Sequence, residues 1–230
     1  MRAALSVVIP TRNAAVVLPG CLAALMEGLE AGVIREVVIT DGGSDDATLQ
    51  IADAAGAVIV QGAASRGGQL RRGAQVAGGG WLMFLHADTV LPAGWAGAVN
   101  AQMGKGGPAA FHLGFDATGV MPRLVAGWAN LRSRVFGLPY GDQALLMSRV
   151  AYEAAGGYAD IPLMEDVAMA RALKGRIALL PLAVRTSAAK YQRDGWLRRG
   201  ARNLWILMRY LCGTDPVQLV EAYRRGARNR

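Results

Sequence analysis

Four apolar runs, separated by stretches whose apolar residues recur with helical period, fill the first part of the chain. This alternation restricts the fold more than any other feature of the sequence. The runs are Leu5–Pro10, Glu36–Thr40, Ala57–Val60 and Trp81–Leu85. Between them lie a helical pattern through Leu22, Leu25, Met26 and Leu29 that ends near Gly32, then Thr48–Ala55 and Gln69–Ala77. Short apolar runs without polar alternation belong to strands buried on both faces, and a strand–helix–strand rhythm makes such strands parallel. Ligands of these sheets bind beyond the carboxyl ends of the strands. Three polar clusters sit there: Thr11-Arg12-Asn13, Asp41 to Asp46, and His86-Ala87-Asp88.

The rhythm loosens in the second half. Ala109–Phe115, Ala144–Ser148 and Ile177–Val184 read as strands, and Arg123–Val135, Met164–Leu173, Trp196–Cys212 and Pro216–Tyr223 as helices. No repeat, low-complexity tract or linker divides the 230 residues, which suffice for one α/β domain with a sizeable core. An apolar share of 53% against 18% charged excludes a disordered chain. Residues 1–10 lack the apolar core of a signal peptide and read as a strand. No run approaches the roughly 20 apolar residues of a membrane span, and Arg209 interrupts Asn203–Cys212, the most apolar late stretch. Cys21 and Cys212 have neither disulfide-framework nor zinc spacing, which fits a reduced, cytoplasmic location.

The net charge of +8 has one source: residues 185–230 carry 11 basic side chains against Asp194, Asp215 and Glu221, while residues 1–184 cancel. Such a segment attracts phosphate, on nucleic acid, on a diphosphate ligand or on anionic lipid, and is equally explained as a solvated helix surface. Arg198, Arg199 and Arg202 are expected on one helix face, with Leu204, Trp205 and Met208 as its apolar side. Contact with an anionic membrane through 193–210, at its inner face, is one expectation. Nucleic acid is not an expected partner, because no recognised motif accompanies the basic residues.

Each polar cluster has a chemical and a structural reading. In Asp41-Gly42-Gly43-Ser44, the glycines let backbone approach a ligand, and the carboxylate can accept from an imide N–H or ribose hydroxyls; a plain Asx turn explains it as well. Asp88 after a buried strand can hold a hard cation, with His86 supplying a nitrogen, or can cap a helix beginning near Pro92. Glu165-Asp166 opens a helix, where the pair complements the macrodipole or provides a general base. Gly141-Asp142-Gln143 positions an acceptor or forms a turn. Arg66-Gly67-Gly68-Gln69 presents backbone N–H groups at a helix start, where ribose or phosphate can meet them. The dinucleotide and P-loop fingerprints are missing from this glycine-rich run.

Taken in order, these motifs resemble the family 2 glycosyltransferases. The usual opening of that family, an apolar strand ending in Pro-Thr-x-Asn, is matched by Ser6 to Asn13, and its Asp-(Asp/Gly)-Gly-Ser-x-Asp-x-Thr turn by Asp41 to Thr48. Its Asp-x-Asp metal motif is similar to His86-Ala87-Asp88, where histidine replaces the first aspartate, and its late Glu-Asp pair matches Glu165-Asp166. The resemblance spans roughly residues 5 to 185. It implies a GT-A-like three-layer α/β/α sandwich with a mainly parallel central sheet and a helical C-terminal extension. The corresponding divisions are a nucleotide-binding half (1–105), an acceptor and catalytic half (106–190) and a basic helical extension (191–230).

The same resemblance implies an inverting transfer from a nucleotide-sugar donor, a UDP-sugar favoured, to a small-molecule or lipid-linked acceptor. Asp41 would contact the nucleobase with Thr11 and Asn13 beside it, and Gly43, Arg66 and Gln69 would complete the donor site. Asp88 and His86 would hold Mg2+ or Mn2+, and Asp166, with Glu165 beside it, would be the catalytic base. His86 to Thr89, Gly141 to Gln143 and Leu163 to Asp166 together look like a small bacterial subgroup associated with radical-SAM proteins or arsenosugar biosynthesis. The Gln-x-x-Arg-Trp motif of processive members is broken, since Gly195 stands at its arginine between Gln192 and Trp196. Two alternatives are a catalytically silent GT-A-like binding module and a nucleotidyltransferase, though the latter wants a basic glycine-rich loop where Thr11 to Ala14 stands.

Overall fold

The structure is a computed structural model and describes residues 3–220. Its elements are β1 (Leu5–Thr11), α1 (Leu18–Glu30), β2 (Ile34–Asp41), α2 (Thr48–Ala54), β3 (Val58–Gln61), α3 (Arg66–Val76), β4 (Trp81–Phe84), β5 (Thr89–Val90), α4 (Trp95–Lys105) and β6 (Ala109–Phe115). There follow α5 (Val120–Phe136), a 3-10 turn (Gly141–Gln143), β7 (Leu145–Ser148), α6 (Arg149–Ala154), α7 (Glu165–Ala172), β8 (Ala178–Thr186), α8 (Ala189–Asp194) and α9 (Trp196–Leu211). Of the helix expected over Pro216–Tyr223, residues 216–220 are helical, and 221–223 lie outside the described residues.

One sheet runs β3-β2-β1-β4-β7-β6-β8-β5. Its first four strands are parallel, as the alternation predicts. The chain moves outward from β1 to β2 and β3, then returns through α3 to place β4 on the other side of β1. That reversal is a topological switch point, with the carboxyl ends of β1, β2 and β4 at one edge. The second half is mixed: β7 is antiparallel to β4 and β6, β6 is parallel to β8, and β5 is antiparallel to β8. The reversed β7 matters for the site. Leu145, its first residue, pairs with Phe84 at the end of β4, so the Gly141–Gln143 turn emerges beside His86–Asp88.

Alternating side chains of the central strands feed two cores, one on each face. Leu5, Val7, Ile9, Met83 and Leu85 pack under α1 and α4, with the buried Trp95 among them. Val8, Leu82 and Phe84 pack under α3, α6, α7 and α9 through Leu70, Tyr152, Val167 and Ile206. Each such buried aliphatic side chain stabilises the fold by about 1.5–3 kcal/mol. The helix expected near Pro92 starts at Trp95 as α4, and its first-turn N–H groups at Gly94 and Ala96 donate to Glu27 of α1. Asp88 therefore does not cap it.

Candidate functional site

At the ends of β1 and β2, Thr11, Asn13, Asp41, Gly43 and Gln69 form one interlocked turn. Asp41 is almost wholly buried, and Oδ1 accepts from the hydroxyls of Thr11 and Ser44. Its Oδ2 accepts from the backbone N–H of Gly43 (2.8 Å) and Ser44 (2.7 Å). Burial pushes this carboxyl up, but the hydrogen bonds from Ser44, Thr11 and Gly43 more than offset it and hold it below its ordinary value. Gly43 takes the left-handed backbone the turn needs, at φ 85°. Asn13, also left-handed, donates its N–H to Ser44 Oγ and accepts from the N–H of Asp45 through Oδ1. The Gln69 amide gives both hydrogens to the carbonyls of Thr11 and Thr40 (2.8 and 2.7 Å), tying the two strand ends together.

The other residues singled out from sequence meet in a cleft of about 180 Å3, lined among others by Arg66, His86, Asp88, Tyr140, Asp142, Glu165, Asp166 and Lys190. Arg66 is the first residue of α3, and its Nη1 lies 3.7 Å from Glu165 Oε1. The helix start comes close because Gly67 carries no side chain: a Cβ there would stand 1.9 Å from the Ala159 carbonyl oxygen. Gly141 abuts His86 in the same way, 2.5 Å from a Cβ position to Nε2. Asp166 Oδ2 accepts from the Gly141 N–H at 2.9 Å and Oδ1 from the Val167 N–H at 2.7 Å. Both acids lie in the first turn of α7, so the macrodipole and the cleft act on them together.

The electrostatics of the cleft are uneven. Burial, then the charge of Arg66, pushes His86 down to about 3, leaving a neutral imidazole. Burial raises Asp88, but nearby positive charge, Lys190 included, brings it below its ordinary value; Lys190 Nζ is 3.4 Å from its Oδ2. Burial raises Asp142 to about 6, with Asp166 and Asp88 adding to the rise and Arg132 opposing it. Burial, then the charge of Asp166, raises Glu165 to about 7. Asp142 Oδ1 and Glu165 Oε2 are buried atoms with no hydrogen-bond partner among the described residues. Leaving such groups unpaired costs about 1–3 kcal/mol each. Unpaired acceptors facing a cleft suit hydroxyl-bearing ligands.

Gln143 is a structural pin: Oε1 accepts from Ser133 Oγ and the Tyr140 N–H, and Nε2 donates to the Phe111 carbonyl. Lys190 and Arg132, whose guanidinium lies 3.4 Å over the Tyr140 ring, reach the site without any motif to announce them, and Tyr140 was missed although it adjoins Gly141-Asp142-Gln143. The expected basic face needs a correction. Arg199 and Arg202 turn inward, each bound to Asp194 Oδ2 at 2.7 and 2.8 Å, because that carboxylate stands at the start of α9. Of the three arginines only Arg198 faces outward.

No group of three His, Cys, Asp or Glu side chains among the described residues is arranged to enclose a cation. His86 and Asp88 offer one neutral nitrogen and one hard carboxylate. That pair fits a divalent ion whose remaining ligands are phosphate and water oxygens, and not an ion caged by protein alone.

A mixed sheet whose parallel half has its switch point between a satisfied polar turn and an acid-lined cleft fits the GT-A-like class of α/β folds. The chain belongs to glycosyl transferase family 2: that family's sequence profile matches residues 6–134, more than half of it. The PGL/p-HBAD biosynthesis glycosyltransferase of Mycobacterium tuberculosis is 38% identical over 93 residues, covering 37% of this chain and 36% of the relative. This chain thus spans little more than a third of the curated relatives it matches. Among solved structures, Staphylococcus aureus TarS residues 1–349 superpose with a TM-score of 0.61 at 16% identity, covering 83% of this chain and 62% of that one. Mannosyl-3-phosphoglycerate synthase from Rubrobacter xylanophilus superposes with a TM-score of 0.56 at 18% identity, covering 99% and 76%. At these identities the structural likeness speaks for the fold.

Proposed function

We propose that the chain is an inverting glycosyltransferase that acts in the cytoplasm, moving a sugar from a nucleotide diphosphate, with UDP favoured, to a hydroxyl acceptor. The observation that carries this reading is the meeting of Asp88, His86, Arg66, Glu165 and Asp166 in one cleft at the switch point. TarS has been crystallised with UDP and with UDP-GlcNAc, which supports a nucleotide-sugar donor here. The turn built on Thr11, Asn13, Asp41, Gly43 and Gln69 is the preformed platform for the nucleoside, and Arg66 stands where it meets phosphate. Histidine-aspartate in the metal position, with the 141–143 and 163–166 motifs, supports placing the chain in the subgroup associated with radical-SAM proteins or arsenosugar biosynthesis.

In the proposed reaction Asp166 takes the proton of the acceptor hydroxyl, and the freed oxygen attacks the anomeric carbon from the face opposite the diphosphate. The bond to the diphosphate breaks and that group leaves with the electron pair, so configuration inverts. Mg2+ or Mn2+ held by Asp88 and His86 would supply charge compensation for the departing diphosphate. The buried acceptors of Glu165 and Asp142 orient sugar or acceptor hydroxyls, and the cleft walls exclude water from the transfer.

The Lys190–Asp88 ion pair favours a second reading, in which Lys190 provides that compensation without a cation. Calorimetry separates the two. UDP is expected to bind with a requirement for divalent metal, and Asp88→Ala to abolish the requirement with most of the affinity. Equal binding in the presence of a chelator would transfer the role to Lys190.

A further inference from the structure

Helices α5 and α9 each carry a stripe of large apolar side chains on the outer face. The buried face of α5 holds Pro122, Ala126, Ala129 and Ser133 with Arg132, which donates to the Leu138 carbonyl, whereas Leu124, Trp128, Leu131 and Val135 face outward at intervals of four, three and four residues. These four are 58%, 49%, 52% and 60% exposed, values usual for charged residues on a helix covering a core. On α9, Leu197, Leu204, Met208 and Leu211 recur on the outer face with Trp205 beside them, and all are exposed. Helical spacing places Arg123 and Arg134 along one border of the α5 stripe, and Arg198 and Arg209 along one border of the α9 stripe. The Arg209 guanidinium lies 5.2 Å over the Trp205 ring. Neither helix contains an aspartate or glutamate.

The two helices pack against each other, and both line the cleft. Trp128 and Leu204 are exposed members of the outer stripes and also line the cleft, so both apolar surfaces reach it. Apolar area of this extent on two adjacent helices needs a partner. Its arginine borders and lack of acids make that partner anionic; a second copy of the same face would oppose arginine to arginine. No helix among the described residues is long and apolar enough to cross a membrane, so the face would lie on a bilayer and not span it.

We propose that α5 and α9 together form a platform that docks onto an anionic lipid bilayer, with the mouth of the cleft at the headgroup level. Leucine and tryptophan enter the interface, and Arg123, Arg134, Arg198 and Arg209 meet the lipid phosphates. The platform rests on the transferase reading only in calling the cleft an acceptor site; docking itself does not require it.

The test is flotation of the full chain with phosphatidylcholine vesicles, with and without phosphatidylglycerol. The chain is expected to float with the anionic vesicles, and binding is expected to fall as salt rises, because the Debye length shrinks to about 10 Å at 0.1 M and less above it. Leu124→Asp with Leu131→Asp on α5, or Met208→Asp with Leu211→Asp on α9, should each reduce the bound fraction about tenfold or more. None of these four residues lines the cleft. Leu131→Ser and Met208→Ser give milder versions, and melting temperature checks the fold of each. The platform is refuted if the chain stays unbound with anionic vesicles at low salt, or if folded variants float like the parent. It is also refuted if the parent is a dimer that the variants split without any flotation. UDP binding measured on the same samples is independent: its absence would remove the transferase reading and leave the platform standing.

Discussion

Two polar regions at the same edge of the sheet are built on opposite principles. In the turn at β1 and β2, Asp41 receives four hydrogen bonds and Gln69 gives both of its hydrogens to strand carbonyls. The cleft beyond β4 holds four acids, Asp88, Asp142, Glu165 and Asp166, and a histidine, and buried oxygens of Asp142 and Glu165 there have no partner among the described residues. The first network favours folding, since its charge is compensated within it. The second opposes folding at Asp142 and Glu165, which burial drives toward the neutral form, to about 6 and about 7. A closed network makes a rigid template, and an open one keeps its interaction energy for what enters.

Substituting within each region can break that contrast, and the largest effect is expected at Asp166. Asp166→Asn keeps the shape of the side chain but cannot take a proton at neutral pH. Turnover should fall roughly 100-fold or more while donor affinity hardly changes, and Glu165→Gln should cost less. Full transfer activity in Asp166→Asn would remove the base from the mechanism.

The next effect is on stability against pH, with opposite signs in the two regions. The folded value of Asp142, about 6, lies above its ordinary 3.8, so in that interval the folded state holds a proton the unfolded state has released. The contribution of Asp142 to stability should therefore fall as pH rises through the window, by roughly 2–3 kcal/mol, while Glu165, raised to about 7, acts in the same sense and His86, lowered to about 3, in the opposite one. Asp142→Asn should remove the Asp142 contribution from the difference between the parent and variant profiles and gain stability at neutral pH while losing transfer. Asp41 is lowered instead, so its contribution is complete above its ordinary value and is lost as pH falls through the folded one. Urea unfolding of parent and variant over this range checks both; a variant profile parallel to the parent's would contradict the account of Asp142.

Asp41→Asn at neutral pH should cost about 1–3 kcal/mol, since an amide group would face donors where a carboxylate oxygen accepted. Denaturation midpoints measure it, and an unchanged midpoint would mean the turn does not depend on the charge. The smallest change is expected for His86→Ala, a few-fold loss of metal-dependent UDP affinity, because water or phosphate oxygen can replace one neutral ligand. Calorimetry with and without chelator would show it; a loss as large as that of Asp88→Ala would make His86 an indispensable ligand.

Much of the first half was legible from sequence. The strands over Leu5–Thr11, Ile34–Asp41, Val58–Gln61 and Trp81–Phe84 fall within a few residues of their expected bounds, because period and turn residues are local properties. The polar clusters are placed at strand ends by the same logic. Elements β5, α6 and α8 are short and gave little pattern to read, while the helix expected near Pro92 starts three residues later as α4. Lys190 reaches the cleft from a distant part of the chain with nothing near it in sequence to mark it out, and Tyr140 enters one residue before the Gly141-Asp142-Gln143 motif. The amphipathic pattern of α9 was visible, but the facing of Arg199 and Arg202 toward Asp194 was not.

The sequence by itself determined the parallel strand–helix alternation, the polar residues at its strand ends and the acidic start of α7. Each depends on neighbours a few positions apart, through periodicity, turn chemistry and capping. Tertiary structure decided the rest. The antiparallel run of β7 set Gly141 against His86, the close approach at Gly67 brought Arg66 to Glu165, and burial separated the behaviour of Asp142 from that of Asp41. It also decided that Ala126 and Ala129 of α5 turn inward and its leucines outward. Strand pairing, desolvation and the choice of buried face are set by groups far apart along the chain, so no local pattern can carry them.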